Sequence, residues 1–176
     1  MKRFFSLLMT ALLLCTAVVP AMADDGYAAA NLEAFADMMD AADYSYEWSD
    51  DGKYIKSKFT IDCALEKCEV YVWGYARGLK VQARIPYEVM KRDMEELAIF
   101  SMMMNNKLLV GEFAMNFESG YFGYEVFCLG YDHVISQTDL EYALTIAVSM
   151  LEDYGDGIMA ITDSNYTAEE AFALYF

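Results

Sequence analysis

Between Lys53 and Ile85 the chain passes through three stretches in which apolar and polar side chains alternate with a period of two: Lys53 to Ile61, Cys68 to Tyr75, and Leu79 to Ile85. Successive residues of a strand point to opposite faces, so this pattern describes half-buried β-strands and conflicts with a helical repeat. Short connections, with Arg77-Gly78 between the last pair, fold such strands into an antiparallel meander. One face then carries Ile55, Phe59, Ile61, Val70, Val72, Val81, Ala83 and Ile85, and must be covered. The other carries Tyr54, Lys56, Lys58, Thr60, Tyr71, Trp73, Tyr75, Lys80, Gln82 and Arg84, and is both aromatic and basic.

The flanking segments supply the cover. Leu32, Phe35, Ala36 and Met39 repeat at helical spacing, which predicts an amphipathic helix over about residues 30 to 42. Tyr44 to Trp48 is a short candidate strand, and Ser49-Asp50-Asp51-Gly52 reads as a turn. After Pro86, residues Met90, Met94, Leu97, Ala98, Ser101 and Met104 share one helix face that ends near Asn105-Asn106. Two further strands, Gly111 to Phe117 and Tyr121 to Leu129, are joined by Glu118-Ser119-Gly120. Ser136 with Asp139 resembles a capping box, bracketed by Ile135 and Leu140, and Leu140, Leu144, Ala147, Val148 and Leu151 follow on one face. Gly155 reads as the stop of that helix. The apolar residues 158 to 161 are assigned to a further helical stretch, and Thr167 with Glu170 caps a last short helix through Phe176. The predicted order is α-β-β-β-β-α-β-β-α-α, an α+β fold with an antiparallel sheet of about five strands flanked by helices.

At the start of the chain Lys2 and Arg3 precede an apolar run from Phe4 to Pro20, and Ala21-Met22-Ala23 offers a small-x-small cleavage site. This predicts a cleaved signal peptide over residues 1–23, a secreted or cell-envelope location, and no stable membrane insertion afterwards. Leu14 precedes Cys15 where lipid attachment requires a small residue, which argues against a lipoprotein. Residues 24–176 fit one α+β domain able to bury about two-thirds of its unfolded surface.

Charge is distributed in blocks. Removing Lys2 and Arg3 takes the net charge from −16 to −18, divided as −9 over residues 24 to 52, +3 over 53 to 107, and −12 over 108 to 176. Repulsion from phosphates argues against nucleic acid and anionic bilayers as partners for the whole molecule. Such an acidic surface also keeps an exported protein dispersed.

Cys63, Cys68 and Cys128 remain after cleavage. Cys63 and Cys68 enclose four residues between two strands, so in an oxidising compartment they are a candidate disulfide, adding roughly 2 kcal/mol by loop-closure entropy. Cys128 on an apolar strand pattern reads as a buried free thiol.

The outward face is the first-choice contact surface, with Tyr54, Lys56, Lys58, Tyr71, Trp73, Tyr75, Gln82 and Arg84 as its candidate residues. A solvated face, on which Lys and Arg lie over aromatic rings and pair with Glu69, explains the same composition. Trp, Tyr and Arg are also the residues that most often anchor interfaces, and an acidic peptide or the acidic part of a second copy is the natural complement. His133 has no second His or Cys at a zinc-ligand offset. Asp50-Asp51-Gly52 and Asp153 to Gly157 lack the ligand spacing of a calcium loop. No phosphate-binding glycine loop or serine elbow is present, and no cofactor is indicated. Met102-Met103-Met104, with Met90 and Met94, reads as core filling. The competing class is a small extracytoplasmic hydrolase using paired carboxylates in an acidic cleft.

The element order, together with Asn105-Asn106, Gly111-Glu112-Phe113, the Gly120-Tyr121 hairpin and the long helix from Gln137, resembles the YbjN family of bacterial sensory transduction regulators over most of residues 30 to 155. The resemblance implies a fold like that of type III secretion chaperones, a tendency to form homodimers, and a non-enzymatic binding role. The export signal departs from the cytoplasmic members of that family. Its motifs are hydrophobic and turn patterns, and no catalytic residues come with them.

Overall fold

Alternation in the strands and amphipathic spacing in the helices resolve into a single sheet with helices on one side. The computed structural model describes residues 26–176, so the expected signal segment, including Cys15, lies outside the described residues. Elements follow in the order α1 (Gly26–Ala41), β1 (Tyr46–Trp48), β2 (Tyr54–Thr60), β3 (Lys67–Tyr75), β4 (Gly78–Arg84), α2 (Met94–Asn105), β5 (Glu112–Met115), β6 (Phe122–Leu129), α3 (Gln137–Ser164) and α4 (Ala168–Phe172). All neighbours pair antiparallel, in the order β1-β2-β3-β4-β6-β5. This is the expected α+β architecture, with six strands in the sheet where about five were expected. The three-residue β1 adds the edge, with Tyr46 opposite Ser57 and Trp48 opposite Ile55.

The inward side chains are those the alternation selects. Ile55, Val70, Val72, Val81, Ala83 and Ile85 are buried, while Phe59 is half-buried beneath the edge of the Tyr44 ring, 5.3 Å away. α1 and α3 cover β3, β4 and β6, and α2 covers β5. Phe113 of β5 is the aromatic centre, with Phe100 of α2 and Tyr154 of α3 at 6.5 and 5.9 Å and with Phe122 stacked 5.9 Å away. Fully burying one such side chain contributes about 1.5 to 3 kcal/mol, so this layer is what fixes the helices to the sheet.

Two boundaries differ from expectation for identifiable reasons. The helix expected from Met90 begins at Met94. Before it, Ile85 and Val89 donate their backbone N–H groups to Phe122 and Gly120 (3.1 and 2.8 Å), so the segment after Pro86 stays tied to the β5–β6 hairpin. Met90 is left exposed, and of the methionine run Met104 is in the core while Met102 faces solvent.

α3 does not stop at Gly155. It continues for 28 residues to Ser164 and ends at Asn165, which takes the left-handed conformation at φ 57°. Gly155 and Gly157 serve packing. A Cβ on Gly155 would overlap Cys63 Sγ and lie 3.0 Å from Leu65, and one on Gly157 would lie 2.8 Å from the Tyr175 ring. The apolar run 158–161 is therefore helical, as expected, but belongs to α3. Its start is capped by Ser136, whose side chain accepts from the Asp139 N–H, and Thr167 and Glu170 form a reciprocal capping box at α4.

None of the four described helices contains Lys, Arg or His. Among the described residues no helix is long and apolar enough to cross a membrane.

Candidate functional site on the open sheet face

Because the described helices lie on one side, no described element covers the opposite face of the sheet, and its side chains form rows set by the register. One row crosses all six strands: Glu47, Lys56, Tyr71, Gln82, Glu125 and Glu112 stand opposite one another in turn. The next runs Tyr54, Trp73, Lys80, Phe127, and the one on the other side runs Lys58, Glu69, Arg84, Gly123.

Arg84 is the centre of this surface. Its guanidinium lies 4.3 Å from the centroid of the Tyr71 ring, 4.5 Å from Tyr121 and 5.0 Å from Trp73. Its Nε donates to Gln82 Oε1 at 2.7 Å, and Gln82 Nε2 donates to Glu125 Oε2 at 3.0 Å. Among the described residues its two Nη nitrogens have no hydrogen-bond or ion-pair partner on this face. Tyr71 and Trp73 are stacked 5.6 Å apart, with Tyr54 within 6.0 Å of each.

The lysines are committed differently. Lys56 and Lys58 both reach Glu69, at 3.2 and 3.5 Å, and Tyr71 donates its hydroxyl to the same carboxylate at 3.0 Å. Burial would raise the Glu69 carboxyl, but the Tyr71 and Lys56 hydrogen bonds and the two lysine charges outweigh it and hold the group below its ordinary value. Lys80 pairs with Glu125 at 3.3 Å and lies 5.1 Å over Trp73. The face is thus a network of opposite charges threaded between rings, which fixes side-chain positions without exposing net charge.

The structure brings Tyr54, Lys56, Tyr71, Trp73, Gln82 and Arg84 into one cluster. Lys58 sits at its margin on Glu69. Tyr75 is displaced to one end, where its ring lies 5.8 Å from Phe127 beside the exposed Leu129. Sequence reading missed Tyr121, Glu125 and Phe127, although they alternate along β6 with the same period that located the other outward residues. Glu112 and Glu125 are carboxylates directly opposite each other, but they stand on an open face, with Glu125 held by Lys80 and Gln82.

Cys63 and Cys68 are free thiols, and the pairing expected across the hairpin loop is not formed here. Cys68 is fully buried, and burial pushes its thiol up to about 12. Cys63 directs Sγ to the Leu151 carbonyl on α3 (3.6 Å). The connection from β2 to β3 is fastened to α3, the N–H groups of Asp62 and Ala64 donating to Glu152 and Asp156 at 3.2 and 2.8 Å. Cys128 is also a free thiol, half-buried. His133 is a loop residue beside Asp132. Among the described residues no three His, Cys, Asp or Glu side chains converge as metal ligands.

A scan against protein-family models found no match, and neither the curated proteins nor the solved structures contain a chain that matches this one.

Proposed function

We propose that this is an exported, non-catalytic binding module that takes an acidic peptide or protein segment on the open sheet face. The observation that carries the reading is Arg84: a guanidinium oriented by Gln82 and by three rings, with its Nη edge unpaired. A planar fork of this kind receives a carboxylate through two parallel hydrogen bonds, and the surrounding rings supply apolar contact at little cost in side-chain entropy. Lys56, Lys58 and Lys80 tune the local potential, while Glu69 and Glu125 keep them in place. The surface is one of the few parts of a strongly acidic molecule that an anionic segment can approach without repulsion.

The resemblance to YbjN-type regulators and to type III secretion chaperones supports a role in holding another protein, with a homodimer as the working form. The acidic helical layer of a second copy is itself a candidate ligand for Arg84.

Light-scattering mass on the purified protein at rising concentration, in low and high salt, tests the homodimer. Binding of a labelled Asp/Glu-rich peptide tests the face itself. The chain has two tryptophans, so in a Trp48→Phe background emission reports Trp73 alone. Binding should shift that emission, weaken with salt, and be lost in Trp73→Ala/Arg84→Ala with the circular dichroism spectrum unchanged. Unaltered association by the double variant would remove this face as the contact surface.

A further inference from the structure

The seam between α1 and α3, on the side away from the open face, is an apolar groove. Met38 and Leu144 form its floor, Ala42, Tyr44 and Val148 its walls, and the half-buried Phe59 of β2 one end. A second, smaller depression lies farther along the same seam, beside Asp37 and Gln137. The α3 residues that line the two depressions run from Gln137 to Ser149, a stretch of roughly 18 Å at the helical rise, enough for three turns of a helix laid alongside.

What could cover these apolar walls follows from charge. The exposed acids Asp37 on α1 and Glu141 on α3 line the groove, Asp40 and Asp43 follow on the α1 side, and no described helix bears a compensating Lys or Arg. An anionic or neutral apolar segment would gain only the apolar contact there. A segment with apolar side chains on one helical face and lysines or arginines flanking it would gain both contact and attraction. A second copy fits poorly, because the described part of this chain offers no helix that carries a cation.

We propose that the α1/α3 groove is a second binding site, for a cationic amphipathic helix of another polypeptide. Met38, Leu144 and Val148 take its apolar residues, and Asp37 and Glu141 take its cations. This site is independent of the open sheet face. It gives the protein two contact surfaces of opposite preference, one for an acidic segment and one for a basic one.

The test uses fluorescence anisotropy of the full exported chain with a labelled 14-residue Leu/Lys peptide, patterned so that leucines occupy one helical face. Two controls accompany it: a Ser/Lys peptide of equal charge, and a Leu/Glu peptide of the same pattern. The Leu/Lys peptide should bind with a stoichiometry of one, at least tenfold more tightly than either control, and more weakly as salt rises. Glu141→Lys lies on the exposed face and should preserve the fold while weakening binding about tenfold. Val148→Lys should do the same, and Trp73→Ala/Arg84→Ala should leave binding unchanged. Equal binding of the Ser/Lys control would reduce the effect to general charge attraction and overturn the proposal. So would wild-type affinity in both groove variants, or loss of binding in the sheet-face variant. Because the sheet-face variant is read in the same assay, failure of this site is distinguishable from failure of the other.

Discussion

Arg84 stands directly opposite Gly123 in the β4–β6 register, so the residue with the most ring contacts on the open face is paired with the one that has no side chain. Tyr121, two positions before Gly123 and on the same face, uses the vacated space to lay its ring 4.5 Å from the guanidinium. The pairing is also tight at the backbone. A Cβ on Gly123 would overlap the Ala83 carbonyl oxygen and lie 2.9 Å from the Arg84 Cα, atoms that cannot move without opening the ladder. Gly123→Ala should therefore destabilise the fold by about 1 to 3 kcal/mol, as overpacked sites do, and release Arg84 from Tyr121. Urea unfolding measures the first effect and binding of the acidic peptide the second. A stable variant with intact binding would contradict the packing described.

The Glu69 network sets a pH dependence whose sign follows from its depressed carboxyl. Because the folded-state value lies below the ordinary 4.5, its contribution to stability is complete above about pH 4.5 and is lost as pH falls through the folded value. Unfolding midpoints collected between pH 3 and 6 should fall more steeply with acidification in the wild type than in Glu69→Gln. Parallel curves would show that the lysine pairs add nothing to stability, as many exposed ion pairs do not.

Thiol reactivity should separate the cysteines. Burial raises Cys68 to about 12 and Cys128 to about 11, so both remain protonated well above neutral pH and are poor nucleophiles in the folded chain. Cys63 is less buried, and burial raises its thiol as well. Timed iodoacetamide labelling at pH 8 under reducing conditions, read by peptide mass, should modify Cys63 first and leave Cys68 untouched until urea is added. The same shifts predict a loss of stability as pH rises beyond 9, where the unfolded chain releases thiol protons that the folded chain retains. Labelling Cys68 as fast as Cys63 would refute the burial described.

Gly155→Ala poses two opposing effects. Replacing a mid-helix glycine gains about 1 kcal/mol of helix propensity, but the new methyl group meets Cys63 Sγ and lies 3.0 Å from Leu65. Overlap should win, giving a net loss of about 1 to 2 kcal/mol as the Asp62–Glu66 loop lifts away from Glu152 and Asp156. In a Cys63→Ala background the same substitution should cost less or become favourable. Equal costs in both backgrounds would place the strain elsewhere.

The parts of this molecule legible in the sequence are those governed by near neighbours. Period-two alternation identified β2, β3 and β4 and assigned Val70, Val72, Val81 and Ala83 to the covered face. The Ser136 and Thr167 caps located two helix starts within one turn of chain. What the sequence hid depends on distant contacts. Gly155 looks like a stop signal because its reason, Cys63 and Leu65, lies about 90 residues earlier. The Arg84 cluster could be read only in part, since Tyr121 and Glu125 come from a hairpin inserted beside β4 after an intervening helix. Met90 fits the periodicity of α2 but is held outside it by the hydrogen bonds of Ile85 and Val89.

The four described helices hold no cation, and set against the strands and loops that hold the described bases they give this part of the molecule a permanent electric asymmetry. Within a Debye length of about 8 Å at physiological salt, a charged neighbour exerts a torque before any atoms touch. A positively charged body nearby would turn the helical layer toward itself and leave the sheet facing away. Near a polyanion the same protein would turn the other way. Which of its two sides is available to a partner would then depend on the charge of whatever the protein drifts beside.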